Sequence, residues 1–132
     1  MILDTHVWVF YATGAPLSKR GLHRIEKSRR AHRLQIAAVT LWEVALLAQE
    51  RKIRFVQTPG EWFRDALART EVTVAALDAQ IAIEAARLVP LLRDPADCQI
   101  VGTALHSGVP LGTRDGRLLE NASALGLDVV EV

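Results

Sequence analysis

The sequence predicts an α/β fold, a parallel sheet covered by helices on both faces. Short apolar or β-branched runs, of the kind that buried parallel strands show, alternate along the chain with longer amphipathic stretches. The chain has 132 residues, the size of an ordinary domain, and 50% of them are hydrophobic, enough for a substantial core. No repeat, low-complexity tract or Gly/Ser linker divides it, so residues 1–132 are expected to form a single domain.

The elements follow in order. Met1-Ile2-Leu3 is an apolar run that ends on Asp4, the first expected strand. Residues 5–12 are mixed apolar and are broken by Gly14-Ala15-Pro16. Ser18 caps a polar helix through Arg30, and residues 34–39 (LQIAAV) form a second buried-type strand. Thr40 then opens a helix with Leu41, Val44, Ala45 and Ala48 on one stripe, ending near Lys52. Thr58-Pro59 puts proline at a first helical position, and that helix runs through Trp62, Ala66 and Leu67. Residues 72–77 read as a strand, and Asp78 caps a helix to about Leu88. Asp94-Pro95 starts the next helix, which Gly108 ends. Residues 111–113 are a short strand, a small helix runs from about Asp115 to the stop at Gly126, and residues 127–132 are the last strand.

Composition narrows the function classes. The 16 Lys and Arg nearly cancel the 15 Asp and Glu, so the formal net charge of +1 does not mark a nucleic-acid binder, and the arrangement of charge matters more than its sum. The only cysteine, Cys98, excludes a disulfide framework within the chain and a Cys-rich zinc site, and fits a reducing compartment. Asp4 and His6 interrupt the apolar start, so no signal peptide is expected, and the apolar runs fall far short of the ~20 residues of a membrane span. The expected location is the cytoplasm. No Gly-x-Ser-x-Gly, P-loop or Rossmann glycine pattern occurs, which removes esterases, P-loop NTPases and dinucleotide dehydrogenases.

Four acids stand where such a fold places ligands. Asp4 and Asp115 follow strands, and open α/β sheets bind ligands beyond the carboxyl ends of their strands. Glu43 and Asp97 fall in the first turns of helices that follow residues 34–39 and Asp94-Pro95. Carboxylates drawn to one rim repel each other, and a hard dication such as Mg²⁺ or Mn²⁺ relieves that repulsion. Each acid also has a local reading. Asp4 suits a turn, Glu43 closes a capping box with Thr40, Asp94 caps a helix whose dipole Asp97 complements, and Asp115 caps the helix containing Leu118 and Leu119. Their joint position at strand and helix ends carries the functional reading.

At these residues the chain resembles the PIN-domain ribonucleases, in particular the VapC-type toxins of toxin–antitoxin pairs. The similarity lies in Ile2-Leu3-Asp4-Thr5-His6-Val7-Trp8, Ala38-Val39-Thr40-Leu41-Trp42-Glu43-Val44, Arg93-Asp94-Pro95-Ala96-Asp97 with Ile100, Thr103 and Ala104, and Leu111-Gly112-Thr113-Arg114-Asp115. The resemblance implies a three-layer α/β/α domain with a parallel sheet of about five strands. It implies an endoribonuclease that uses Mg²⁺ or Mn²⁺, with Asp4, Glu43, Asp97 and Asp115 as metal-binding acids and Thr113 as a hydroxyl partner in the metal shell. It also implies an RNA substrate, a cognate antitoxin and a homodimer. Two departures stand out. Cys98 occupies a position where a basic residue is common, putting substrate affinity in doubt, and Gly102 one where alanine is common, which weakens its helix by up to ~1 kcal/mol.

Other features have competing readings. Residues 19–33 hold Lys19, Arg20, Arg24, Lys27, Arg29, Arg30 and Arg33, opposed only by Glu26, an RNA-backbone clamp or simply a solvated face. Trp8, Trp42 and Trp62 read as core or interface residues rather than base-stacking platforms. Apolar residues on the first helix and on residues 41–48 exceed the needs of a small core, which suits dimer or antitoxin contacts. The expected reaction is hydrolysis of an RNA phosphodiester. The alternatives are a non-catalytic PIN-like module that binds RNA or protein, and a different Mg²⁺ phosphotransfer enzyme. The latter lacks its strand-end lysine here, and no member of the acidic quartet is missing.

Overall fold

The computed structural model describes residues 1–132. Its strands are β1 (Ile2–Leu3), β2 (Gln35–Ala37), β3 (Thr73–Ala75), β4 (Leu111–Thr113) and β5 (Val129–Glu131). They form one five-stranded sheet in the order β3-β2-β1-β4-β5, with every neighbouring pair parallel. The helices are α1 (Thr5–Thr13), α2 (Lys19–Arg30), α3 (Ala38–Gln49), α4 (Pro59–Thr70), α5 (Ala79–Leu92), α6 (Pro95–Ser107) and α7 (Gly116–Leu125). No helix is long and apolar enough to cross a membrane.

The period of two along each strand separates two cores. Leu3, Ile36 and Val130 point to one face, where Val7, Trp8, Ile25, Val44, Trp62 and Ala66 cover them. Ile2, Ala37 and Leu111 point to the other, against Ala85, Leu88, Ile100, Val101 and Leu118. Helices therefore lie on both faces, and the three-layer α/β/α architecture follows. Each fully buried Leu or Ile of these layers contributes roughly 1.5–3 kcal/mol.

Most helix ends obey local chemistry. Ser18 accepts from Gly21 N, Asp78 from Ile81 N, and Thr58 with Glu61 completes a capping box. Gly14, Gly108 and Gly126 end α1, α6 and α7 in the left-handed region. Three segments depart from the sequence reading. Residues 5–12, without a clear period, form α1 because Val7, Trp8, Val9 and Ala12 are all buried. The helix expected from Thr40 begins at Ala38, so the Thr40–Glu43 capping box does not form and Glu43 sits in the second turn. The helix expected to end near Leu88 continues past Pro90 to Leu92, the exposed proline sparing buried backbone any unmet bond.

Candidate active site

Chain direction makes a topological switch point between β1 and β4. After β1 the chain turns into α1 on one face of the sheet, and after β4 into α7 on the other. The departing segments diverge, and such a switch point leaves a cleft at the carboxyl ends of the strands. Asp4 leaves β1 there, Asp115 follows β4, and Asp97 and Glu43 approach from α6 and α3.

Asp4 is 8% exposed and holds the N-cap position of α1, yet its side chain caps nothing. It accepts a hydrogen bond from Thr113 Oγ1 at 2.7 Å. Thr113 is fully buried, and its oxygen also accepts from the Asp115 N–H at 3.0 Å. One hydroxyl thus ties the two strand-end acids together. Burial pushes the Asp4 carboxyl up from its ordinary pKa, against the Thr113 hydrogen bond and the charge of His6.

Asp115 does cap α7: its Oδ1 accepts from Arg117 N at 2.7 Å and from Leu118 N at 3.3 Å. Its Oδ2 accepts from Arg117 Nη2 at 3.1 Å. The Arg117 guanidinium holds this carboxyl below its usual range. Asp94 likewise caps α6, accepting from Ala96 N at 2.8 Å and Asp97 N at 3.2 Å. The Asp97 side chain lies free of the cap, 3.4 Å from Arg117 Nη2. Its pKa is pushed up to about 6, first by burial and then by the charges of Asp94, Asp4 and Asp115. Glu43 Oε2 accepts from the buried Thr5 hydroxyl, which also lies 3.3 Å from Thr40 Oγ1. Burial raises the Glu43 pKa, and the charges of Asp4 and Asp94 add to the rise.

The acids therefore share one electrostatic neighbourhood, with Arg117 the only basic side chain hydrogen-bonded to them. They do not form a ready cage, since no three His, Cys, Asp or Glu side chains converge closely enough to grip an ion. A loose set of carboxylate oxygens, three of the four groups with raised pKa values, fits a hard, partly hydrated dication of the Mg²⁺ or Mn²⁺ kind, which takes few carboxylates and keeps several waters.

Several sequence expectations change. Cys98 is buried in the core beside Ala85 and Leu88, so it does not face substrate; burial and the nearby Asp97 and Asp94 charges push its thiol up. Gly102 lets α6 pack closely on α5: a Cβ there would lie 3.0 Å from Ala85 N and 3.2 Å from Ala85 Cα of α5, tighter than ordinary contact. Trp8 and Trp62 stack with Phe63 and Phe55 in the core, whereas Trp42 is 60% exposed and belongs to no core. The apolar face of α1 is absorbed by the core, leaving α3 with Trp42 and half-buried Leu46 and Leu47 as the uncovered one. On α2, Arg29 pairs with Glu26 and Glu71, while Arg20 and Arg24 line an open cleft of about 1100 Å³ with Arg114, Asp128 and Glu131. Sequence reasoning missed Thr5 and Arg117. Adjacency to Asp4 pointed to Thr5, while Arg117 carried no signal beyond lying two residues after Asp115.

Residues 1–124 match the PIN domain family. The chain is 32% identical over 119 residues to Ribonuclease VapC22 of Mycobacterium tuberculosis, covering 89% of this chain and 88% of that one. Among solved structures, it resembles VapBC2 of Rickettsia felis bound to a promoter DNA fragment, with a TM-score of 0.72, 16% identity, and 98% and 96% of the two chains covered. It also resembles DNA-bound VapBC of Salmonella typhimurium, with a TM-score of 0.70, 21% identity, and 98% and 95% covered. At those identities the structures establish the fold alone.

Proposed function

Because the chain belongs to the PIN-domain family, we propose that it is a divalent-metal-dependent endoribonuclease that hydrolyses RNA phosphodiester bonds and serves as the toxin of a toxin–antitoxin pair. The observation that carries this reading is the gathering of Asp4, Glu43 and Asp97 at one end of the sheet, where burial first and neighbouring carboxylates second raise their carboxyls above ordinary values, with one guanidinium beside Asp97. Such an arrangement is costly without a dication and favourable with one. The name of the VapC22 relative supports the ribonuclease assignment. The likeness to solved VapBC structures, a family described as toxin–antitoxin systems, supports a cognate antitoxin as partner.

Asp4, Asp97 and Asp115 would hold the cation, directly or through water, and Glu43 would support it or orient the attacking water. A bound Mg²⁺ or Mn²⁺ supplies Lewis acidity for the scissile phosphate and lowers the pKa of water. Thr113 fixes the Asp4 carboxylate, and Thr5 fixes Glu43, so neither acid has to search for its orientation. The protein acts in the cytoplasm as a homodimer, with the uncovered apolar face of α3 available for the dimer or for the antitoxin.

The test is cleavage of single-stranded RNA by purified protein with Mg²⁺ or Mn²⁺, against chelator and against Asp4→Asn. We expect chelator to abolish cleavage and Asp4→Asn to reduce it at least ~100-fold, the scale on which losing a charge-stabilising group acts. Undiminished cleavage by Asp4→Asn refutes the assignment, and metal-independent RNA binding without cutting favours the non-catalytic module.

A further inference from the structure

Two carboxylate oxygens of this site are already in contact with an arginine. Asp115 Oδ1 is engaged by the α7 cap, which leaves Oδ2 as the free oxygen of that carboxylate. Arg117 Nη2 sits on that oxygen at 3.1 Å and on Asp97 Oδ2 at 3.4 Å. Its side chain is 71% exposed, so the hold on both acids is screened by water and weak. Its backbone is fixed, because the Arg117 N–H is the donor to Asp115 Oδ1. A guanidinium on a long tether, anchored at its base and loosely held at its tip, has a pivot but no lock.

Resting on the ribonuclease reading above, we propose that Arg117 is a phosphate-positioning residue with two stations. Without metal it straps Asp97 to Asp115, and when a dication takes those oxygens it turns to the RNA phosphate beside them. Two positive groups on the same carboxylate oxygens repel, so the arrival of one loosens the other. The freed guanidinium presents a planar fork that matches two phosphate oxygens. Arg117 is the only basic side chain hydrogen-bonded to these acids, and two other arginines are engaged elsewhere. Arg114 is held at Pro16 O and lies over the Phe10 ring. Arg29 is occupied by Glu26 and Glu71. A purely structural tie between α6 and α7 predicts something different, since its loss lowers stability and weakens every ligand together.

The experiment compares wild type, Arg117→Gln and Arg117→Lys. Mn²⁺ is titrated calorimetrically into metal-free protein, and a single-stranded RNA oligonucleotide is bound in Ca²⁺ and followed by fluorescence anisotropy. Arg117→Gln is expected to bind Mn²⁺ about three- to tenfold more tightly, because the competing charge is gone. It is expected to bind RNA about three- to tenfold more weakly, with a salt slope smaller by about one. Arg117→Lys keeps the charge without the fork, so its Mn²⁺ affinity returns toward wild type while RNA binding recovers only in part. Unchanged or weaker Mn²⁺ binding by Arg117→Gln overturns the proposal, as does unchanged RNA binding. Wild-type protein that binds no Mn²⁺ defeats the metal reading and this proposal together. Wild-type binding with no effect of Arg117→Gln defeats only the role of the arginine.

Discussion

Replacing Gly102 with alanine separates a local from a tertiary account of α6. Helix propensity alone predicts a gain of about 0.8–1 kcal/mol, since glycine is the poorer helix former. The structure predicts a loss. The added Cβ meets Ala85 N at 3.0 Å, Cα at 3.2 Å and Cβ at 3.3 Å, and two of those atoms are backbone of α5 that cannot rotate away. Overpacking of this kind costs about 1–3 kcal/mol, so the net change is destabilisation by about 1 kcal/mol. For a chain of 132 residues that lowers Tm by about 3–5 °C. Gly60→Ala in α4 is the control: its Cβ would meet nothing within 4 Å, so the same substitution should stabilise by about 0.4–1 kcal/mol. Calorimetric melting of both variants in metal-free buffer checks the opposite signs. A Gly102→Ala protein that melts above wild type would show that α5 yields to the added methyl and that overpacking does not decide the sign. Because α6 carries Asp97, displacing it should also slow RNA cleavage.

Three further outcomes follow. Asp97 has a pKa of about 6, above the ordinary 3.8, so the folded state holds its proton more tightly than the unfolded chain. Its contribution to stability is present below about pH 3.8 and is lost as pH rises through 6. Tm of metal-free protein should therefore fall between about pH 4 and pH 6, and added Mn²⁺ should flatten that fall; the opposite slope contradicts the burial and repulsion assigned to Asp97. Mn²⁺ affinity should itself weaken as pH drops below about 6, a trend that calorimetric titration can follow. Thr113→Val removes the donor to Asp4 and the acceptor of the Asp115 N–H, costing about 1–3 kcal/mol in a denaturant melt and pushing the pH profile of cleavage upward, whereas Thr113→Ser keeps both bonds and the wild-type profile.

What the sequence determined by itself is short-range. Ser18, Thr58-Pro59, Asp78 and Asp94-Pro95 announce helix starts, and Gly108 and Gly126 announce ends, because a cap is chemistry between residues two to four positions apart. The strands are legible for the same reason, since a parallel strand buried on both faces needs a compact apolar run. Asp4, Asp97 and Asp115 were legible as residues at element ends, whereas Glu43 falls in the second turn of α3. Their arrangement belongs to tertiary structure. Thr113 and Asp4 lie 109 positions apart, and only the pairing of β1 with β4 brings the hydroxyl to the carboxylate. The start of α3 at Ala38 is another tertiary result, with Thr40 and Glu43 facing Thr5 instead of each other. The value of Gly102 depends on how near α5 comes, and the exposure of Trp42 depends on which faces other helices cover. Local spacing encodes which way a side chain leaves its own backbone; what it meets there is set by the packing of distant segments.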